Sequence, residues 1–240
     1  IVKMVGRPFQ SLNELQILRL YSNLLVTLHN GVFLGLSMLI YLDVSDNQLV
    51  TLGEASFQGL VMLERLAIRN NNLGTLPNKL FMSLSNLKYL FLNHNQLLTL
   101  GNSSYPNLND NLTSEPKRLF RDSINLFELD LSDNQLGSLY SDQFKNLDEL
   151  RILRINRNRM ANLTNGVFKD LRNVFYFDLS YNQLASLPDM IFNGMMNLVT
   201  LYLQGNKLIT VQYATFTGLT NLCTLKIALN QLETLTHDVF

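Results

Sequence analysis

The chain has 240 residues, 47% of them hydrophobic, enough apolar material for one large core or one long array, which excludes general disorder. Lysine plus arginine and aspartate plus glutamate are equal at 19 each, so no bulk charge draws the chain to nucleic acid or to an anionic membrane. Its one cysteine, Cys223, excludes an internal disulfide and a cysteine-rich zinc site, and apolar runs such as 32–42 fall short of the roughly 18–20 residues that a membrane span needs.

Met4, Phe9 and Leu12 come first, and they stand where Leu28, Phe33 and Leu36 stand one unit later. Full units with the template L-x-x-L-x-L-x-x-N-x-L then begin at Leu15, Leu39, Leu63 and Leu87, each 24 residues after the last. After Leu100 the period fails over "GNSSYPNLNDNLTSEPK" (101–117), a polar stretch with Gly101, Pro106 and Pro116 that predicts an inserted loop over about 101–119. The units resume at Leu126, Leu150, Val174, Leu198 and Leu222. The template asparagines are Asn23, Asn47, Asn71, Asn95, Asn134, Asn158, Asn182, Asn206 and Asn230; the one irregular interval, Asn95 to Asn134, is 39, or 24 plus 15. Phenylalanines keep the same period from Phe9 through Phe33, Phe57, Phe81, Phe120, Phe144, Phe168, Phe192 and Phe216 to Phe240.

A self-similar period of this length predicts stacked units, none of which can bury its apolar face alone. The x-L-x-L-x section alternates with period two, so it predicts a short strand with one buried face. Stacking sets such strands in parallel, about 4.8 Å apart. Each asparagine stands where the chain leaves the strand, and its amide can serve backbone groups of the turn and of the adjacent unit. The nine would form a ladder, and the phenylalanines an aromatic column across the core.

This pattern resembles the leucine-rich-repeat family over essentially the whole chain. The segments "LPNKLFMSL" (76–84) and "LPDMIFNGM" (187–195) are similar to the 24-residue animal extracellular subtype, shared by Toll-type receptors and secreted immune proteins. The resemblance implies an α/β repeat solenoid, a curved horseshoe with a parallel β-sheet on its concave face and mostly irregular or short helical convex segments, used for binding. It places 1–240 in a single array with a partial first unit. The family usually closes each end with a cysteine-rich cap; neither is present here, so the expectation is a window on a longer protein or caps supplied by flanking segments.

No chemistry assembles from the sequence. His29, His94 and His237 occupy different places in the unit, and no phosphate cradle, nucleophile elbow or zinc-protease motif occurs. Asp43, Asp130 and Asp178 share one register, but as filler that the family uses there, with a structural or solvated role. Cys223 is expected to be packed or inert. The expectation is a protein without catalytic, cofactor or metal site: not an enzyme.

Binding capacity lies instead at the third, fifth and seventh template positions, which point away from the core. Tyr41, Arg65, Arg69, Tyr89 and Phe91 form one aromatic-basic group, Glu128 and Asp130 an acidic step, and Arg154, Tyr176 and Tyr202 a second aromatic group. Tyrosine and arginine are enriched at interface hot spots, and mixed charge suits a protein or other macromolecular ligand better than a polyanion, so no nucleic acid is expected. A homodimer or heterodimer is compatible with such a face. Sequons at Asn102, Asn111 and Asn162 fit N-glycosylation on a secretory route. The expected function is an extracellular recognition module, secreted or part of an innate-immune or signalling receptor ectodomain; the alternative is an adhesion protein organising cell or matrix contacts.

Overall fold

The computed structural model of the chain describes residues 1–101, 119–212 and 214–234. Its strands run in chain order as β1 (Ile17–Arg19), β2 (Thr27–Leu28), β3 (Tyr41–Asp43), β4 (Thr51–Leu52), β5 (Arg65–Ala67), β6 (Tyr89–Phe91), β7 (Glu128–Asp130), β8 (Ile152–Arg154), β9 (Tyr176–Asp178), β10 (Thr200–Tyr202) and β11 (Thr224–Lys226). All but β2 and β4 form one nine-stranded sheet in the order β1-β3-β5-β6-β7-β8-β9-β10-β11. Every pairing is parallel and in template register: Leu42 lies beside Leu66, Leu66 beside Leu90, and Leu90 beside Leu129 across the insertion. β2 and β4 pair separately, Thr27 with Thr51 and Leu28 with Leu52, just beyond the asparagine turn.

The strands are three residues long because the chain reverses soon after. At the eighth template position Ser22, Asp46, Asn70, His94, Asp133, Arg157, Tyr181 and Leu229 all have φ between 52° and 55°, and Gly205 has φ 71°. This left-handed step ends the strand and turns the following asparagine inward. Asn47, Asn71, Asn95, Asn134, Asn158, Asn182, Asn206 and Asn230 each accept a backbone N–H of the preceding unit at 2.9–3.2 Å. Each also donates from Nδ2 to a carbonyl of that unit at 3.0–3.2 Å. Asn134 makes the same two bonds, to Leu97 and Leu92, over separations of 37 and 42 residues. The insertion therefore leaves the ladder whole.

Behind the sheet, the leucines at template positions one, four and six form one continuous core, fully buried from Leu39 to Leu203. Along its far side the phenylalanines stack with centroids 5.9–6.4 Å apart, from Phe9 to Phe120 and from Phe144 to Phe216. Phe177, which replaces a core leucine, meets Phe168 edge-on at 4.8 Å. The convex segments are irregular, made of successive tight turns, with no helix among the described residues.

A second asparagine series, absent from the template as read, lines the opposite edge. Asn86, Asn125, Asn173, Asn197 and Asn221 precede the first template residue of their units, and each donates from Nδ2 to a carbonyl of the unit before at 2.8–3.0 Å. The "NL" and "NV" pairs at the 24-residue interval are its sequence signal. Met38 and Met62 hold this place in their units and are exposed.

Leu129 and Leu153 are fully buried in adjacent strands with units on both sides. Either one replaced by alanine should lower the unfolding free energy by roughly 2–5 kcal/mol, as for an emptied leucine site. Chemical denaturation monitored by circular dichroism measures this, and a loss under about 1 kcal/mol would contradict the core register.

Candidate ligand-binding face

Short parallel strands in strict register set the outward side chains in columns that run the length of the sheet. The third position carries Tyr41, Arg65, Tyr89, Glu128 and Tyr176; the fifth carries Asp130, Arg154 and Tyr202 beside Phe91. Arg69 follows the end of β5 and is exposed. Every expected face residue thus lies on the concave side, but the three groups separate by how they are held.

Arg65 lies over two rings, its guanidinium carbon 4.6 Å from the centre of Tyr89 and 5.5 Å from that of Phe91. Tyr89 also leans on Phe127 at 5.8 Å. Tyr41 is in register with Arg65 but is tied elsewhere: its hydroxyl donates to Asp43 Oδ2 at 2.8 Å, and Arg19 lies 5.6 Å from its ring. Burial, then the hydrogen bond to Asp43 and that carboxylate's charge, push the Tyr41 phenol above the ordinary tyrosine range against the opposing pull of Arg19 and Arg65.

In the second half of the sheet Glu128 and Arg154 match each other's charge. Arg154 donates from Nη1 to Glu128 Oε1 and stacks over Tyr176 at 5.2 Å. Burial lowers the Arg154 pKa, but the hydrogen bond and charge of Glu128 more than offset this and raise it. Tyr176 meets Tyr202 edge-on at 5.4 Å, and Lys226 covers Tyr202 at 4.3 Å. Burial and the charge of Asp178 push the Tyr176 phenol upward as well.

The aspartates of the shared register take a structural part. Asp43, Asp130 and Asp178 each accept the backbone N–H two residues on at 2.9–3.0 Å, and the latter two also accept a serine hydroxyl. They cap the turn that leaves the strand. Cys223 is exposed rather than packed, its thiol donating to the Asn221 carbonyl at 3.4 Å; the first two template positions straddle the sheet edge, and the side chain of the second points to solvent.

Unforeseen in the sequence is a ridge along the flank, made by the eighth-position residues. Asn70 donates to Asp46 at 2.7 Å; His94 and Arg157 approach Asp133 at 3.7 and 4.0 Å; Arg157 covers Tyr181 at 4.7 Å. Its signal is the residue before each ladder asparagine. Asn162 is exposed, whereas Asn102 and Asn111 lie outside the described residues. No cluster of three or more histidine, cysteine, aspartate or glutamate side chains is placed to hold a metal among the described residues.

Leucine-rich-repeat profiles match residues 13–73, 62–109 and 148–208, and a further one matches 125–147. The chain belongs to the leucine-rich-repeat family. Among curated proteins none matches it. Among solved structures, the Drosophila Toll–Spatzle complex aligns over 97% of this chain with 27% identity and a TM-score of 0.84. The TLR13–ssRNA13 complex aligns over 91% with 29% identity and a TM-score of 0.80. A leucine-rich-repeat protein of Leptospira interrogans, at 24% identity and a TM-score of 0.79, shares the fold. The chain spans 30% of the TLR13 chain and 29% of the Toll chain. This leucine-rich-repeat array therefore resembles Toll-type ectodomains, two of which are seen with macromolecular ligands. One of those ligands is RNA, so the expectation that excludes nucleic acid finds no support in the neighbours. No helix among the described residues is long and apolar enough to cross a membrane.

The raised Tyr41 phenol has a defined pH signature. The folded state favours its neutral form, so its contribution to stability is complete below the ordinary pKa of about 10 and is lost as pH rises through the higher folded value. In an ultraviolet absorbance titration Tyr41→Phe should remove one late-ionising phenol and flatten the alkaline fall in stability; an unchanged late phase would show that burial and Asp43 do not hold the Tyr41 phenol neutral.

Proposed function

We propose that this chain is an extracellular recognition segment of an innate-immune or signalling receptor, and that it binds a macromolecular ligand through its concave face. The observation that carries the proposal is the Arg65–Tyr89–Phe91 cluster: exposed and half-buried aromatic and basic side chains gathered on a face whose direction is fixed by the repeat. Aromatic and arginine anchors of this kind dominate interface energetics. The likeness to Toll-type ectodomains supports the receptor setting, and exposed Asn162 fits N-glycosylation on a secretory route, as do the other sequons. On this view the chain has no catalytic role, and the matched Glu128–Arg154–Tyr176–Tyr202 run braces the face while Tyr41 borders the ligand. An adhesion role uses the same face but has no separate observation in its favour.

Protein made in a eukaryotic secretory host should carry N-linked sugar at one or more of Asn102, Asn111 and Asn162; peptide mapping that finds all three bare would remove the sequons' support for an extracellular setting. Tyr89→Ala combined with Phe91→Ala should weaken capture of the ligand from extracellular fluid at least about thirtyfold, since each lost anchor costs ~2 kcal/mol or more. Surface plasmon resonance on the captured ligand provides the measurement. Unchanged affinity, with an unchanged melting transition, would move the binding surface off the concave face.

A further inference from the structure

We infer that Arg65 and Arg69 form a seat for the carboxylate of an acidic peptide segment on a protein ligand, an inference that rests on the concave face being the binding face. A guanidinium carries its donors in its plane, so rings stacked on its faces leave the N–H fork open and hold it in one orientation. Arg65 rests against two such rings, Tyr89 and Phe91, both on the adjacent strand β6. Among the described residues no hydrogen bond or ion pair engages its fork, and Arg69, also exposed, has no ion pair either.

Most other arginines of the face and flanks lack this freedom; Arg19 is exposed and without an ion pair among the described residues, but it rests on one ring only, that of Tyr41. Arg154 is stacked in the same manner on Tyr176 but gives its fork to Glu128. Arg151 is paired with Glu149, and Arg157 lies beside Asp133. Asp43, the acid nearest in register, cannot neutralise Arg65: it is nearly buried, and its two oxygens accept from the Ser45 N–H and the Tyr41 hydroxyl. Arg65 is therefore the open guanidinium that two rings hold in place.

Shape agrees with charge. Ala67 stands between the two arginines on the same face, where other strands place Asp43, Phe91, Asp130, Arg154 or Tyr202. Arg65 and Arg69 are separated by roughly 13 Å of extended backbone at about 3.3 Å per residue, a distance two long side chains can close over a small residue. The guanidinium of Arg65 already lies next to Phe91, the register partner of Ala67. The methyl of Ala67 is itself covered, so a carboxylate lodged outside it, between the two long side chains, would accept from the Arg65 fork and the Arg69 side chain while its methylene packs on Phe91. A phosphodiester chain fits less well, because it needs an open cation at successive phosphates, and beyond β6 the face offers the paired Arg154 with the carboxylates of Glu128 and Asp130 instead.

The test is selection of a displayed random-peptide library on the purified chain. Selected peptides should carry aspartate or glutamate beside an apolar residue. They should lose at least about tenfold in affinity for Arg65→Gln/Arg69→Gln, as for a lost charge-assisted hydrogen bond. They should bind Lys145→Gln/Lys169→Gln, which removes the same charge from exposed convex turns, within about twofold of wild type. Equal melting transitions establish that all variants fold. Selection that yields no binder, binders without acidic residues, or binders indifferent to the arginine pair overturns the seat. If such binders still require Tyr89 and Phe91, the concave face stands and only the carboxylate fails; if they ignore both pairs, the binding face fails as well. Displacement of acidic peptides by oligouridylate at physiological salt would assign the seat to nucleic acid and overturn the peptide.

Discussion

The structure depends on one bonding arrangement, the buried asparagine that closes each unit onto the one before. A chain leaving a three-residue strand would strand its own carbonyls and the N–H groups of the neighbouring turn away from water. A carboxamide has two donors and an acceptor on a short stem, so a single side chain serves both units. A buried N–H left without a partner costs about 1–3 kcal/mol. The left-handed residue that precedes each asparagine is the conformational cost of turning it inward, carried at this position even by His94, Arg157, Tyr181 and Leu229. The insertion after Leu100 shows how strong the constraint is. Fifteen extra residues alter the sequence separation but not the bonds that Asn134 makes to Leu92 and Leu97.

With the backbone fixed in this way, the concave face is a grid whose rows are strands and whose columns are template positions. The grid does not distinguish bracing from recognition; partner contacts do. In the β7–β11 half, Glu128, Arg154, Tyr176, Tyr202 and Lys226 use one another's charge and rings, so that little is left over for a ligand. In the β5–β6 half the rings hold a cation that no described acid answers. A donor already held against two rings forfeits little rotamer entropy on binding, which favours it as an anchor.

Much of this was legible from residue order. A 24-residue period in leucine, asparagine and phenylalanine implies a stack, and the alternation of x-L-x-L-x implies the strand and the direction of its outward side chains. The second asparagine ladder is equally periodic but not legible as one, because a polar residue before an apolar one has no evident purpose until a carbonyl from the preceding unit arrives beside it. The eighth-position ridge was hidden for a related reason. Its residues share no chemistry, only a backbone conformation. Of the two readings of Cys223, packed or inert, exposure removes the first, because adjacency to a core leucine does not specify which side of the sheet edge a side chain takes.

By itself, then, the order of residues determined the family, the parallel register, the two columns across the core and the identity of the outward side chains. These follow from local rules repeated at fixed spacing, and repetition makes the long-range contacts predictable from short-range pattern. Only the tertiary structure decided which outward charges are spent. Glu128 and Arg154 are 26 residues apart, Tyr41 and Asp43 only two, and Arg65 lies 24 from the ring that covers it. Whether such pairs meet depends on side-chain rotamers across neighbouring strands, which no period encodes, since the outward positions are the ones the stack leaves free.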